Sequence, residues 1–349
     1  MLSKIFDNPW TIVVLLGLSY FAMSYGEAHS IVVLDILAII GSIVVLVLSA
    51  DNFTDVAVRV GRAIGLSGLA TGSLIIALGT SAPEFFSSIG AAVQGQPDMV
   101  IGNMLGTIVA NSLLGIGFGA LFAFKALEVH RDVFGTQMSV LLAAIIILVA
   151  GLYDGVLHWY EGLSLCILLG FYLYNQGKSR DESNGDENGG ENGGENGEGK
   201  PKLAILDVLM LVVYLSMLFF AGEFAVSALL NTANYFDFSS AKLATSVLAV
   251  GTSIPEIATS VVLVRKGKVD ELFGNVIGSN IFGVLGIMGS ISLFLPLAMS
   301  SYLLYYLLGS VVLMFIVTSS IMNDKEINRL EGIALISLFV AFTIQLVNI

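Results

Sequence analysis

Cysteine is nearly missing from this chain: Cys166 is the only one in 349 residues, which excludes an internal disulfide framework. With only three histidines beside it, no Cys/His cluster has the spacing of a zinc or iron-sulfur site, and redox chemistry has no handle. Charge is scarce as well. Asp, Glu, Lys and Arg make up 12% of the residues, whereas a water-facing globular surface carries about 25 to 35%. No P-loop is present, so an ATP-driven pump is excluded, and neither a GxSxG elbow nor a histidine inside an apolar motif supports a hydrolase.

What is abundant is apolar side chain. Hydrophobic residues account for 56% of the chain and the mean hydropathy is +0.89, so the bilayer is the expected solvent. Runs long enough to cross roughly 30 Å of hydrocarbon lie near residues 10–25, 31–50, 67–94, 100–124, 134–152, 157–174, 203–229, 241–264, 272–295, 301–322 and 330–348. The expected fold is therefore all-α, a polytopic membrane protein. The first segment is either a retained helix or a signal peptide; Asp7, and the lack of a small-x-small cleavage site after Tyr25, favour the helix.

The formal charge of −12 reflects carboxylates gathered in one stretch, residues 178–202, and implies neither a nucleic acid nor an obligatory protein partner. That stretch is low in complexity and lacks aromatic and β-branched residues, so residues 175–202 read as an acidic, disordered linker. Its spacing does not match a calcium-binding EF-hand loop. With the N-terminus inside and every segment crossing, all Lys and Arg but Lys242 fall on the cytoplasmic side. The positive-inside rule then puts the N-terminus and the linker in the cytoplasm and the C-terminus outside, in a multi-pass cell-membrane protein.

Residues 77–117 align with 249–289 at a constant offset of 172, and fourteen of the forty-one positions are identical. The cores are GTSAPE (79–84) with GTSIPE (251–256) and GNMLGT (102–107) with GNVIGS (274–279). An odd number of crossings separates the copies, so they are inverted. The loops agree: QGQPDM in copy one has no basic residue, and RKGKVDE in copy two has three. The expected organisation is an extra N-terminal segment (1–30), a first five-helix repeat (31–174), the linker (175–202) and a second five-helix repeat (203–349), ten core helices in all. Inverted repeats with interrupted helices are the architecture of secondary transporters.

Each S-x-P-E segment has the form of a capping box: Ser81 or Ser253 as cap, proline in the first turn and Glu84 or Glu256 three residues on. A capping box belongs at a water boundary, yet both glutamates lie more than fifteen residues into apolar segments. An intramembrane carboxylate costs a few kcal/mol and marks an ion path. Glutamate oxygens, hydroxyls and freed carbonyls are the hard ligands calcium takes in sets of six to eight. In the second motif Asn103, Thr107 and Asn111, and likewise Asn275, Ser279 and Gly283, fall four residues apart along one helix face. Asn103 and Asn275 read equally as ligands or as hydrogen-bonding packing residues beside the small-xxx-small seams Gly102/Gly106 and Gly274/Gly278. Asp51 and Glu223, at the ends of the first helix of each repeat, read as residues lining an access route or as interfacial charges.

At these paired motifs the chain resembles the cation/calcium exchanger superfamily, and most closely the prokaryotic sodium/calcium exchangers, over about residues 31–349. The resemblance implies Glu84 and Glu256 as calcium ligands, assisted by carbonyls or hydroxyls of Thr80, Ser81, Thr252 and Ser253, with Thr107, Ser279 and Asn111 completing sodium sites. It departs at Gly283, where family members carry Asn or Asp. The expected function is a sodium/calcium antiporter working by alternating access, electrogenic, with no cofactor and with calcium and sodium as its cargo. A proton- or potassium-coupled antiporter and a passive cation channel are the alternatives.

Overall fold

The computed structural model describes residues 9–29, 32–130, 133–182, 204–235, 251, 253–299 and 301–348. Twelve helices are seen among them: α1 (Pro9–His29), α2 (Val32–Ala63), α3 (Gly68–Thr80), α4 (Ala82–Val93), α5 (Pro97–Phe122), α6 (Met138–Gly151), α7 (Trp159–Glu182), α8 (Ile205–Tyr235), α9 (Ile254–Arg265), α10 (Val269–Ser292), α11 (Ser301–Asn323) and α12 (Arg329–Asn348). Six of these, α2, α5, α8, α10, α11 and α12, are long and apolar enough to cross a membrane. The pair α3 and α4, bent by 44° at its break, is apolar enough for a seventh when taken as one broken span, and Thr11–Glu27 and Gly135–Gly151 are shorter apolar helices.

The boundaries follow local chemistry. Pro83, Pro97 and Pro255 stand in first turns, where a missing N–H costs nothing. Gly95 and Gly267, 172 residues apart, both take φ of +70° in the turns that follow α4 and α9, a conformation glycine adopts freely. Two expected boundaries are corrected. The first helix of each repeat does not stop at its last apolar residue: α2 runs to Ala63 and α8 to Tyr235, so Asp51 and Glu223 lie inside helices rather than at their ends. Once nucleated, a helix lengthens at little cost beyond its apolar stretch. For the same reason α7 continues to Glu182, and residues 175–182 are helical where a linker was expected. The rest of that linker, residues 183–202, lies outside the described residues, as does most of the apolar segment 241–264 before Ser253.

Helix bounds repeat at the spacing of the motifs. α4 and α9 correspond residue for residue at 172, and α2 and α8, like α5 and α10, start and finish within a few residues of it. Two short antiparallel ribbons show the same exchange: β1 (Leu127–Glu128), after α5, pairs with β4 (Glu326–Ile327), before α12, while β3 (Leu297–Ala298), after α10, pairs with β2 (Val156–Leu157), before α7.

The core centres on α5 and α10, whose apolar windows are 83% and 94% buried, against 33% or less for α2, α8, α11 and α12. α3 crosses α10 at Gly72 and Gly274, where a Cβ on either would stand 2.9 Å from the other's Cα. Such an approach is open only to the smallest residue. α1, α2 and α8 pack chiefly on one another and form a separate layer against this core.

Candidate functional site

Both motif helices are interrupted in the same way. α3 ends at Thr80, Ser81 turns with φ −83° and ψ 5°, and α4 restarts with Pro83 and Glu84 in its first turn. Ser253 turns with φ −82° and ψ −5° before Pro255 and Glu256. Neither serine caps its helix through its side chain, so neither segment is an ordinary capping box. The Ser81 hydroxyl instead donates across the repeats to Glu256 Oε1 at 3.2 Å. As a cap the serine oxygen would accept from a backbone N–H; here the hydroxyl proton is directed at a buried carboxylate instead.

Glu84 is 1% exposed and Glu256 is fully buried. Among the described residues neither glutamate joins an ion pair; the pairs seen use Asp51, Asp55, Asp154, Asp207 and Asp270. Both carboxylate oxygens of Glu84, Oε2 of Glu256, both amide atoms of Asn111 and the Ser279 hydroxyl are buried with no hydrogen-bond partner among the described residues. Native interiors leave few polar atoms in that condition, and those few need an explanation. No group of three His, Cys, Asp or Glu side chains able to hold a metal exists among the described residues. A cation held here would draw on two carboxylates plus neutral oxygens.

The remaining motif residues differ in their surroundings. Asn275 is hydrogen-bonded on both sides of its amide: its Nδ2 lies within hydrogen-bond reach of the Glu256 carbonyl (3.3 Å), Thr259 Oγ1 (3.1 Å) and Ser260 Oγ (3.3 Å). Its Oδ1 lies 3.3 Å from Thr80 Oγ1, which also reaches the Ile76 carbonyl at 3.1 Å. These contacts tie the second motif of copy two to both broken helices. Asn103 is half-buried, Thr107 and Ser253 are buried, and Thr252 lies outside the described residues. Asn111 opens a π-helical turn, Asn111–Gly115, and Gly283 lies in another, Phe282–Met288. The fourfold stripe expected of an α-helix is thereby rotated at its last member, because a π turn holds an extra residue. Asp51 is held in a salt bridge by Lys266 (3.0 Å), and Glu223 is exposed on α8.

Thr259 and Ser260, one turn beyond Glu256, were not singled out in the sequence. A signal was available, since Ser88 and Ser260 are among the identical repeat positions. Asn280, whose Nδ2 donates to Ser112 Oγ at 2.7 Å, has no polar mate in copy one and gave no signal.

A family model described as sodium/calcium exchanger protein matches residues 34–178 and 206–347. Inner membrane protein YrbG of Escherichia coli K12 is 31% identical over 262 residues, covering 74% of this chain and 79% of YrbG. Sodium/calcium exchanger MaX1 of Methanosarcina acetivorans is 29% identical over 347 residues, 90% of this chain and 99% of its own. The fold is similar to that of the sodium-calcium exchanger NCX_Mj, in the form soaked with 2.5 mM Na+ and 0.1 mM Sr2+, with a TM-score of 0.73 at 25% identity, covering 89% of this chain and 98% of that one. Broken helices carrying paired buried glutamates, a match over both halves and relatives matched over most of their length agree: the chain belongs to the sodium/calcium exchanger family, multi-pass membrane ion antiporters and not enzymes.

Proposed function

We propose that this protein exchanges sodium for calcium across the cell membrane by alternating access, with both ions competing for the site between α3/α4 and α9/α10. The observation that carries the reading is the set of unpartnered buried oxygens on Glu84, Glu256, Asn111 and Ser279. A calcium ion needs six to eight oxygens, and carbonyls released at the two helix breaks around Thr80, Ser81, Thr252 and Ser253 complete that number. Thr107, Ser279 and Asn111 extend the set along α5 and α10 for sodium.

Two carboxylates in a dry site carry a charge that is costly to leave uncompensated, by several kcal/mol per ion. Calcium, or several sodium ions, neutralises it, and the loaded site can then change sides. The two repeats are inverted, ten core helices with α1 as an extra one. The N-terminus and residues 183–203 face the cytoplasm and the C-terminus the outside; the placing of the basic residues and the repeat of helix bounds at 172 support this. Three sodium ions against one calcium would move one net charge per cycle.

The test is calcium-45 uptake into sodium-loaded proteoliposomes diluted into choline or sodium medium. Uptake is expected only with an outward sodium gradient. Uptake driven equally well by a proton or potassium gradient, with sodium replaced throughout by choline, would transfer the coupling to that ion; uptake with no gradient at all would make the protein a passive pathway.

A further inference from the structure

Lys266, in the turn between α9 and α10, reaches across to α2. Its ammonium lies 3.0 Å from Asp51 Oδ1 and 2.9 Å from Asp55 Oδ1, and donates to the Asp51 carbonyl at 2.6 Å. Thr54 Oγ1 accepts at 3.3 Å, and Lys268 stands 3.7 Å from Asp55. The side chain of Lys266 is 20% exposed while those of Asp51 and Asp55 are 49% and 55% exposed, so the ammonium is the sheltered member of the cluster. The turn that bears it is stiff: Gly267 has φ +70° and the Lys268 N–H donates to the Leu263 carbonyl at 2.8 Å. Holding this turn holds α9, whose other end carries Glu256.

Adding or subtracting 172 finds the equivalent positions in the other repeat. Lys266 and Lys268 become Gln94 and Gln96, and Asp51, Thr54 and Asp55 become Glu223, Val226 and Ser227. There the ammonium is gone: Gln94, Gln96 and Glu223 are all exposed. The packing differs in the same sense. α2 packs closely on α9, whereas no comparable packing of the equivalent pair, α8 and α4, is seen among the described residues. Between them lies a crevice of about 260 Å³, lined by Pro83, Phe86, Leu215 and Phe219 and reaching Thr80 and Pro255 at the helix breaks. One seam between the α1/α2/α8 layer and the core is shut and tied by Lys266; a crevice lies at its repeat-related seam, where no tie is seen among the described residues.

We propose that Lys266 is the positioning residue that keeps the inner seam closed, an ionic latch whose absence from the outer seam biases the empty transporter toward opening outward. This rests on the alternating-access reading above. Inverted repeats reach their second state by exchanging conformations, and in that exchange the contacts of Lys266 with Asp51 and Asp55 must part, while Gln94 and Gln96 bring no ammonium to the equivalent place on the far side. Each exposed ion pair contributes little alone; two carboxylates, a carbonyl and a hydroxyl on one ammonium act together.

The experiment uses the full chain with Cys166→Ser and a single reporter, Ala57→Cys, on a fully buried residue two positions past Asp55. A membrane-impermeant maleimide is applied to the cytoplasmic side of inside-out vesicles. Lys266→Gln is expected to speed labelling of residue 57 at least about threefold, Asp55→Asn to do the same, and Lys266→Arg to leave it unchanged. Combining Lys266→Gln with Gln94→Lys, which moves the ammonium to the outer seam opposite Glu223, is expected to speed it further. Unchanged labelling in both Lys266→Gln and Asp55→Asn would overturn the latch. Labelling requires no sodium gradient, so a failure of sodium dependence in the uptake assay would overturn the coupling reading and leave this result standing.

Discussion

Glu84 and Glu256 come from segments 172 residues apart and meet through Ser81, whose hydroxyl serves the glutamate of the other repeat. Replacing either carboxylate by its amide keeps size and hydrogen bonding but removes a charge that calcium must neutralise. Glu84→Gln and Glu256→Gln are expected to lower sodium-dependent calcium-45 uptake by about 100-fold or more while the protein elutes normally on gel filtration, since a charged ligand in a dry site contributes several kcal/mol. Ser81→Ala separates two readings of the same residue. As a cap its loss would cost about 1 kcal/mol of stability; as a donor to Glu256 its loss shows mainly in ion binding. The expected outcome is a nearly unchanged melting temperature with a several-fold rise in half-saturating calcium. Gly283 offers the reverse case. A Cβ built there meets only the Met104 sulfur, at 3.7 Å, which is ordinary contact. Gly283→Asn is therefore expected to fold and to lower half-saturating sodium by giving copy two the amide that Asn111 gives copy one, and an unchanged sodium dependence would count against a ligand role at this position. The motif residues were legible because they occur twice. The direction of the Ser81 hydroxyl was not, because it depends on a partner 175 positions away.

Among the elements, the broken helices were legible from proline and glutamate placed deep in apolar segments. Their partners were not. α3 and α10 cross where Gly72 and Gly274 meet, and a Cβ on Gly274 would enter the space of the Leu69 carbonyl and of Ser73 N, both backbone atoms that cannot swing aside. Gly274→Val is expected to destabilise the protein by about 1 to 3 kcal/mol, as overpacking does, and a thermal-shift assay in detergent would register this as a lower melting temperature. A Gly90→Val control, where a Cβ meets nothing within 4 Å, should leave it unchanged. Helix ends were misread at α2, α7 and α8 for one reason. Hydropathy reports where the bilayer ends, while helical hydrogen bonding continues until a cap, a glycine or a competing contact stops it. The π turns at Asn111 and Phe282 were likewise invisible, since a run of small and aliphatic residues fits either helix.

Taken whole, the molecule is two interleaved halves. Each ribbon pairs a strand of one half with a strand of the other, and the site draws on both. If three sodium ions leave as one calcium enters, net positive charge moves outward with each cycle. Calcium uptake into sodium-loaded proteoliposomes should then be faster when valinomycin and a potassium gradient hold the lumen positive, and slower when it is negative, with about 2.3 kcal/mol per 100 mV acting on the moved charge. Equal rates at both polarities would make the exchange electroneutral. Alone, the sequence determined the membrane solvent, the duplication and the two glutamates, because composition, periodicity and repetition are properties of the chain read in order. Only the tertiary structure decided that Asn275 bonds to Thr259 and Thr80, that Ser81 serves Glu256, and that Lys266 bonds to Asp51 and Asp55 while its mate Gln94 is exposed. Each of those depends on which groups distant in sequence come within bonding reach, and hydrogen bonds weaken steeply beyond about 3.5 Å.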